Sequence, residues 1–213
     1  MEKSVYNEVY ARSITSQDWF TGFRNKIRAR KVLKVLKPDS NDRILEIGCN
    51  TGHLIKELIV HSHNVIGIDI NHAALKIANI PNLFCMDIAD MGFSDNSFDK
   101  IVCIHTIEHV HKIERAFEEM ARVLKPGGSI LLTYPFEIIR GMGSMRDTLR
   151  TCSSKWHALV TCSFISKARQ LHIYKLSPRK ISKIIEGSIL MLTGSSMILD
   201  PWPSYLTILK KKE

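Results

Sequence analysis

The chain has 213 residues, 45% of them hydrophobic and 24% charged, with 30 Lys and Arg against 21 Asp and Glu for a formal net charge of +9. That length and balance suit one globular domain with additions and a sizeable core. No apolar run approaches the roughly 18 residues of a membrane span, and the start, MEKSVYNEVYARS, lacks the apolar centre of a secretion signal.

Residues 1–40 read as helical and amphipathic. Trp19, Phe20, Phe23 and Ile27 recur near one face, and Ile27, Val32, Leu33, Val35 and Leu36 continue the apolar pattern until Pro38. The cluster Pro38-Asp39-Ser40-Asn41-Asp42 is a turn. Ile44, Leu45 and Ile47 then form a short apolar run, a strand over about 43–48 buried on both faces. It breaks at Gly48 and Gly52, and a helix follows over about 52–62. Backbone N–H groups at such a helix start offer a place for a carboxylate or phosphate. Glu46, at the same end, suits a ligand carrying an ammonium or hydroxyl groups. A second strand over about 64–70 ends at Asp69, where an acid can hold a ribose diol by two hydrogen bonds.

Glu46-Ile-Gly48-Cys-Asn50-Thr-Gly52 resembles the glycine-rich motif of class I S-adenosylmethionine-dependent methyltransferases, particularly the type 11 group. Asn50 replaces one glycine of the usual pattern; Asn is the non-glycine residue that best tolerates positive φ, so the turn keeps its shape. A nicotinamide-binding domain needs G-x-G-x-x-G, which the motif does not supply. The resemblance implies S-adenosyl-L-methionine as cofactor, with Glu46, Gly48, Cys49, Asn50, Gly52, Asp69 and Ile70 among its binding residues. It also implies a segment ahead of the motif that folds over the cofactor as a lid, which Tyr6, Tyr10, Trp19 and Arg24 would close. A helix packed on the sheet edge is the other reading of that segment.

Asn71 caps a short second helix. A third strand over about 82–86 stops at Asp87, which by the resemblance reaches the exocyclic amine of adenine, with Met86 and Ile88 flanking the ring. Ser97 to His105 is the fourth strand. The Thr106-Ile-Glu108-His109-Val110 tail resembles the family's x-E-H-V loop and adds His105 to the cofactor residues. His105 and His109 are also the candidate catalytic bases, with Glu108 to orient one of them; helix-capping or core roles are the alternative. Ile113 to Leu124 is an amphipathic helix with Ile113, Phe117, Met120, Val123 and Leu124 inward. Lys125-Pro126-Gly127-Gly128, an LKPGG turn that also resembles the family, ends it before a fifth strand, Ser129 to Tyr134.

Between Pro135 and Leu176 the pattern loosens into a basic stretch with Arg140, Arg146, Arg150, Lys155, Lys167, Arg169 and Lys175, plus Trp156 and Phe164. Family members place a substrate-covering insertion here. Ser177-Pro178-Arg179 opens a last helix, with Ser177 as cap and Ile181, Ile184 and Ile185 as its apolar face. Strands over about 189–199 and 204–210 complete seven. The expected fold is α/β, a Rossmann-like doubly wound seven-stranded sheet, mostly parallel with a final antiparallel strand, whose ligand lies beyond the carboxyl ends. The whole chain reads as a single domain: a helical lid (1–40), a cofactor-binding core (41–135), a basic substrate-side insertion (136–176), and the final helix and strands (177–213).

Five cysteines (Cys49, Cys85, Cys103, Cys152 and Cys162) without a C-x-x-C pair speak for a reducing cytoplasm, the first three as small apolar residues in or beside strands. His61, His63, His105, His109 and His111 lack paired Cys or a nearby acid at ligand spacing, so no metal is expected. Residues 1–40 carry nine Lys and Arg against four acids, residues 41–135 eight against twelve, and residues 136–213 thirteen against five. The segments flanking the core therefore hold the positive charge, either as solvated surface or facing an anionic acceptor. The resemblance implies in-line transfer of a sulfonium methyl to a small acceptor, anionic or lipid-linked. An RNA methyltransferase is the first rival, weakened because no nucleic-acid module and no N/D-P-P-Y/F follows the fourth strand. A cofactor-binding partner subunit without activity is the second. Peripheral membrane contact stays open, and the oligomeric state is not specified.

Overall fold

A computed structural model of the chain describes residues 19–136, 173–200 and 202–213. Tyr6, Tyr10 and most of the basic insertion lie outside the described residues, as do Cys152 and Cys162. The apolar runs form strands β1 (Arg43–Ile47), β2 (Asn64–Asp69), β3 (Leu83–Cys85), β4 (Phe98–Ile104), β5 (Leu124–Pro135), β6 (Leu190–Asp200) and β7 (Trp202–Lys211). They build one sheet in the order β3-β2-β1-β4-β5-β7-β6. β1 to β5 pair in parallel, and β7 runs antiparallel to both its neighbours. The expected seven-stranded, mostly parallel sheet is therefore present. The chain order reverses between β1 and β4, the place where open α/β sheets bind ligands.

Helices α1 (Trp19–Leu36), α2 (His53–Leu58), α3 (His72–Ala78), α4 (Ile113–Val123) and α5 (Pro178–Ile184) flank the sheet. One core layer joins β-strand residues Leu45, Ile68 and Ile101 to Ile113, Phe117 and Met120 of α4 and Ile181 of α5. The other joins Ile44, Val65 and Leu131 to Ala29, Val32 and Leu36 of α1. Each such buried aliphatic side chain contributes about 1.5–3 kcal/mol. Asn71 caps α3, its side chain accepting from the Ala73 and Ala74 N–H groups, and Ser177 caps α5 with Pro178 at the first position.

Some expectations are corrected. The buried face of α1 belongs to Ala29, Val32 and Leu36, whereas Phe23 is 53% exposed and Ile27 is also exposed; neither shares the face that meets the sheet. Cys85 is exposed, although Cys49 and Cys103 are buried as expected. α2 is six residues long, not eleven, and turns out of helix at Ile59. The LKPGG segment is an excursion inside β5. Phe98 pairs with Leu124 and Lys100 with Ser129, so Lys125 to Gly128 stand opposite Asp99. Gly127 has φ +73°, and a Cβ on Gly128 would lie 2.8 Å from the Lys125 carbonyl oxygen and 2.9 Å from that of Asp99. Asp99 ties the excursion down by accepting from Lys125 Nζ and the Arg43 N–H, each at 2.8 Å. Burial pushes the Asp99 carboxyl up, but Lys125 and that N–H outweigh it and hold the group below the usual range.

Candidate functional site

The carboxyl ends of β3, β2, β1 and β4 lie side by side, and each delivers polar residues to one end of the sheet. β1 brings Glu46, opposite Gly67 of β2 and Val102 of β4, and then Gly48. β2 brings Asp69, opposite Cys85 of β3. β4 brings His105 and Thr106.

The turn after β1 is as tight as the motif requires. Gly48, Asn50 and Gly52 have φ of +76°, +48° and +71°, so Asn50 does occupy the left-handed region. A Cβ on Gly48 would lie 2.0 Å from Thr106 Oγ1, and one on Gly52 2.5 Å from Ile80 Cδ1. Thr106, which the sequence reading passed over, thus closes on the glycine turn, its hydroxyl donating to the Ile104 carbonyl at 3.0 Å. Cys49 fits beside Gly67, where a Cβ would lie 2.9 Å from its Sγ. Burial and the nearby charges of Glu46 and Asp69 push the Cys49 thiol well up, so it stays neutral.

Several backbone N–H groups of the turn are used by the chain itself. Gly48 and Cys49 both donate to the Ile68 carbonyl, and Gly52 to that of Cys49. Asn50 N–H donates to Asp69 Oδ2 and Asn71 N–H to Asp69 Oδ1, each at 2.8 Å. Asp69 is 9% exposed. Burial raises its carboxyl, against the lowering effect of the Asn71, Asn50 and Ile70 N–H groups. Met86 is tied in through its N–H to the Asp69 carbonyl at 3.2 Å.

Glu46 is the most perturbed acid of the site. It is 5% exposed, and Oε2 has no hydrogen-bond partner among the described residues. Burial first, and then the charge of Asp69, push its carboxyl up to about 8, against the opposing Ile55 N–H and the charge of Arg28. Arg28 lies on α1 and was not among the residues singled out from the sequence. Two acids of like charge at one buried place call for a cation or several donors to complete them.

Asp87 is exposed at the rim, its Oδ1 accepting from the Ala89 N–H at 2.9 Å. Ile88 is buried in the core, and Ile70 and Met86 are half-buried. His105 stands just past β4 with φ +49°, an unfavourable conformation for its residue type, and donates its N–H to the Thr133 carbonyl. Its Nδ1 lies 3.5 Å from Oε1 of Glu108, which is 1% exposed. Burial raises the Glu108 carboxyl, but the approach of His105 and the charges of His105 and His109 prevail and hold it below the usual range. The Glu108 carbonyl accepts from the Ile173 and Tyr174 N–H groups, which brings the chain returning from the insertion over this loop. The side chains of Trp19 and Arg24 are outside what the structure describes.

The family described as "Methyltransferase domain" matches residues 45–132. A 24-methylenesterol C-methyltransferase 2 of Arabidopsis thaliana is 30% identical over 120 residues, 51% of this chain and 33% of that protein. The chain thus spans about a third of that relative's length. A phosphatidylethanolamine N-methyltransferase of Cereibacter sphaeroides is 28% identical over 149 residues, 64% of this chain and 73% of that protein. In fold, the chain is similar to one in a solved complex between the Haloferax volcanii Trm112 methyltransferase activator and a methyltransferase. That match has a TM-score of 0.72 and 14% identity, and covers 97% of both chains.

Proposed function

We propose that the protein is a class I, type 11-like methyltransferase that uses S-adenosylmethionine to methylate a small anionic or lipid-linked acceptor, a reading supported by the match of residues 45–132 to a methyltransferase domain. The observation that carries this reading is Glu46: a buried carboxylate with an unpartnered oxygen, beside Asp69, at the sheet's ligand-binding end. A ligand bearing a sulfonium, an ammonium and a diol has the groups that such a pair lacks. Bound there, S-adenosylmethionine supplies a methyl group already activated by the sulfonium.

The chain's own residues do the rest. Glu46 faces the cationic end, and Asp69 accepts the diol with the lone pairs left over from Asn50 and Asn71. Gly48 and Gly52 let the backbone approach, with Cys49, Asn50 and Ile70 as contacts. Met86 and Ile88 flank the adenine and Asp87 takes its amine at the rim. Glu108 turns the His105 ring by holding Nδ1, so that a proton leaving the acceptor is taken at Nε2; His109 is the second candidate. An acceptor already in its nucleophilic form needs no base, and the residues then only align it and exclude water.

The acceptor class is supported by the charge division along the chain and by relatives named for a sterol and a phospholipid. Among the described residues, no helix is long and apolar enough to cross a membrane. The whole chain is read as a single functional unit in the cytoplasm. The test is to incubate the protein with methyl-labelled S-adenosylmethionine and a cell extract and to identify the labelled product. Label in a phosphorylated, carboxylated or lipid-linked compound is expected. Label in RNA would replace this reading with a nucleic-acid enzyme, and cofactor binding without any labelled product would make the protein a binding subunit.

A further inference from the structure

β6 is the outer strand of the sheet, paired among the described residues with β7 alone. Its sequence, LMLTGSSMILD, has no charge before Asp200 and no proline. Edge strands that remain single are ordinarily guarded by lysine, proline or short length. Here Met191, Met197 and Leu199 are exposed instead, Leu199 by 66%, and Lys31 of α1 donates only to the Leu199 carbonyl at the strand's end.

The register skips Thr193, between Leu192 and Gly194. The remaining ladder positions read Leu-Met-Leu, Gly-Ser-Ser, Met-Ile-Leu: three apolar, three small, three apolar. The pattern is the same from either end. We propose that β6 pairs antiparallel with β6 of a second copy of this chain, about a two-fold axis at Ser195.

That register sets Leu190 opposite Leu199, Met191 opposite Ile198, Leu192 opposite Met197 and Gly194 opposite Ser196, so apolar meets apolar and small meets small on each face. Asp200, the strand's single charge, falls opposite Ile189, whose carbonyl accepts the Lys212 N–H at 2.9 Å. A groove lined by Arg179, Lys183, Glu186 and Lys212 reaches Ser188 and Leu190 on either side of Ile189. Association joins two sheets into one, satisfies the outer row of backbone groups and covers Met197 and Leu199.

Two experiments test this. In sedimentation at tens of micromolar, the wild type should run at twice its 24.3 kDa mass. The double variant Met197→Lys/Leu199→Lys should dissociate at least tenfold more readily while melting like wild type, since both positions are exposed in the single chain. In mild oxidation, Ser195→Cys should crosslink to itself, because facing Cα atoms about 4.5–5.5 Å apart lie within disulfide reach. Met191→Cys should not, because its counterpart lies roughly 20 Å away at about 3.3 Å per residue. A monomeric wild type, equal crosslinking of the two cysteine variants, or a dimer that survives both lysines would each overturn the proposal. A different protein covering β6 would show itself as the first of these.

Discussion

Asn50 donates its backbone N–H to Asp69 Oδ2 at 2.8 Å, across the gap between the turn after β1 and the end of β2. The acid best placed for a diol therefore also holds the loop that shapes the site. Asp69→Ala should lower affinity for S-adenosylmethionine by about one to three decades, at 1.4 kcal/mol per decade. It should also destabilise the protein without ligand by about 1–3 kcal/mol, because the Asn50 and Asn71 N–H groups lose their acceptor. Calorimetry and thermal melts read the two effects separately. An unchanged melt would mean that the loop does not need the bond, and unchanged affinity would remove Asp69 from the site.

Asn50 itself sits at φ +48°. Asn50→Gly should bind cofactor about as well as wild type, whereas Asn50→Val should destabilise by roughly 1–3 kcal/mol and bind much more weakly. Indistinguishable glycine and valine variants would show that the conformation is not required.

Glu46 makes the site sensitive to pH. Its folded carboxyl is pushed up to about 8 from an ordinary 4.5. An acid whose folded value is raised holds its proton more tightly when folded, so stability is unaffected by it below about pH 4.5 and falls as pH climbs towards 8. The slope approaches about 1.4 kcal/mol per pH unit from this group alone. Melting temperature should thus drop between pH 5 and pH 8 by more in wild type than in Glu46→Gln. A cationic ligand should displace the proton: at pH 7, titrations in two buffers of different ionisation heat should reveal proton release by wild type and none by Glu46→Gln. Equal release by both would place the titrating group elsewhere.

His105 is best tested with a residue that tolerates its φ of +49°. His105→Asn should fold normally, and at saturating cofactor should lose about 10²–10⁴-fold in the rate of labelled-product formation if His105 accepts a proton. Glu108→Gln should lower that rate less and shift its pH profile, since it leaves the imidazole present but differently held. A rate untouched by His105→Asn would assign proton removal to another group or to none.

The acceptor's charge can be read without knowing the acceptor. Arg146, Arg150 and Lys155 belong to the basic stretch outside the described residues. Reversing all three to Glu should raise the acceptor KM steeply and leave cofactor affinity nearly unchanged. Added salt should weaken acceptor use more in wild type than in the variant. A KM indifferent to both would make these residues solvated surface.

Much of this molecule was legible from local pattern. The strand runs, the caps at Asn71 and Ser177, the inward face of α4 and the positive φ at Asn50 are decided by a few neighbouring residues, because backbone sterics and burial act over one turn or one strand. Glu46 and Asp69 could likewise be placed at strand ends by counting. What counting could not supply is who meets whom across the sheet. That Asp69 is bonded to Asn50 and Asn71, that Thr106 closes on Gly48, that Arg28 of α1 lends its charge to Glu46, and that Phe23 faces outward all depend on strand order and helix docking. Those are set by side chains far apart in sequence competing for the same core. The buried, half-satisfied carboxyl of Glu46 is likewise a product of the tertiary structure: any strand can carry a glutamate, but only the packing of β2, β4 and α1 around it withholds water, raises its pKa and leaves an oxygen for a ligand to complete.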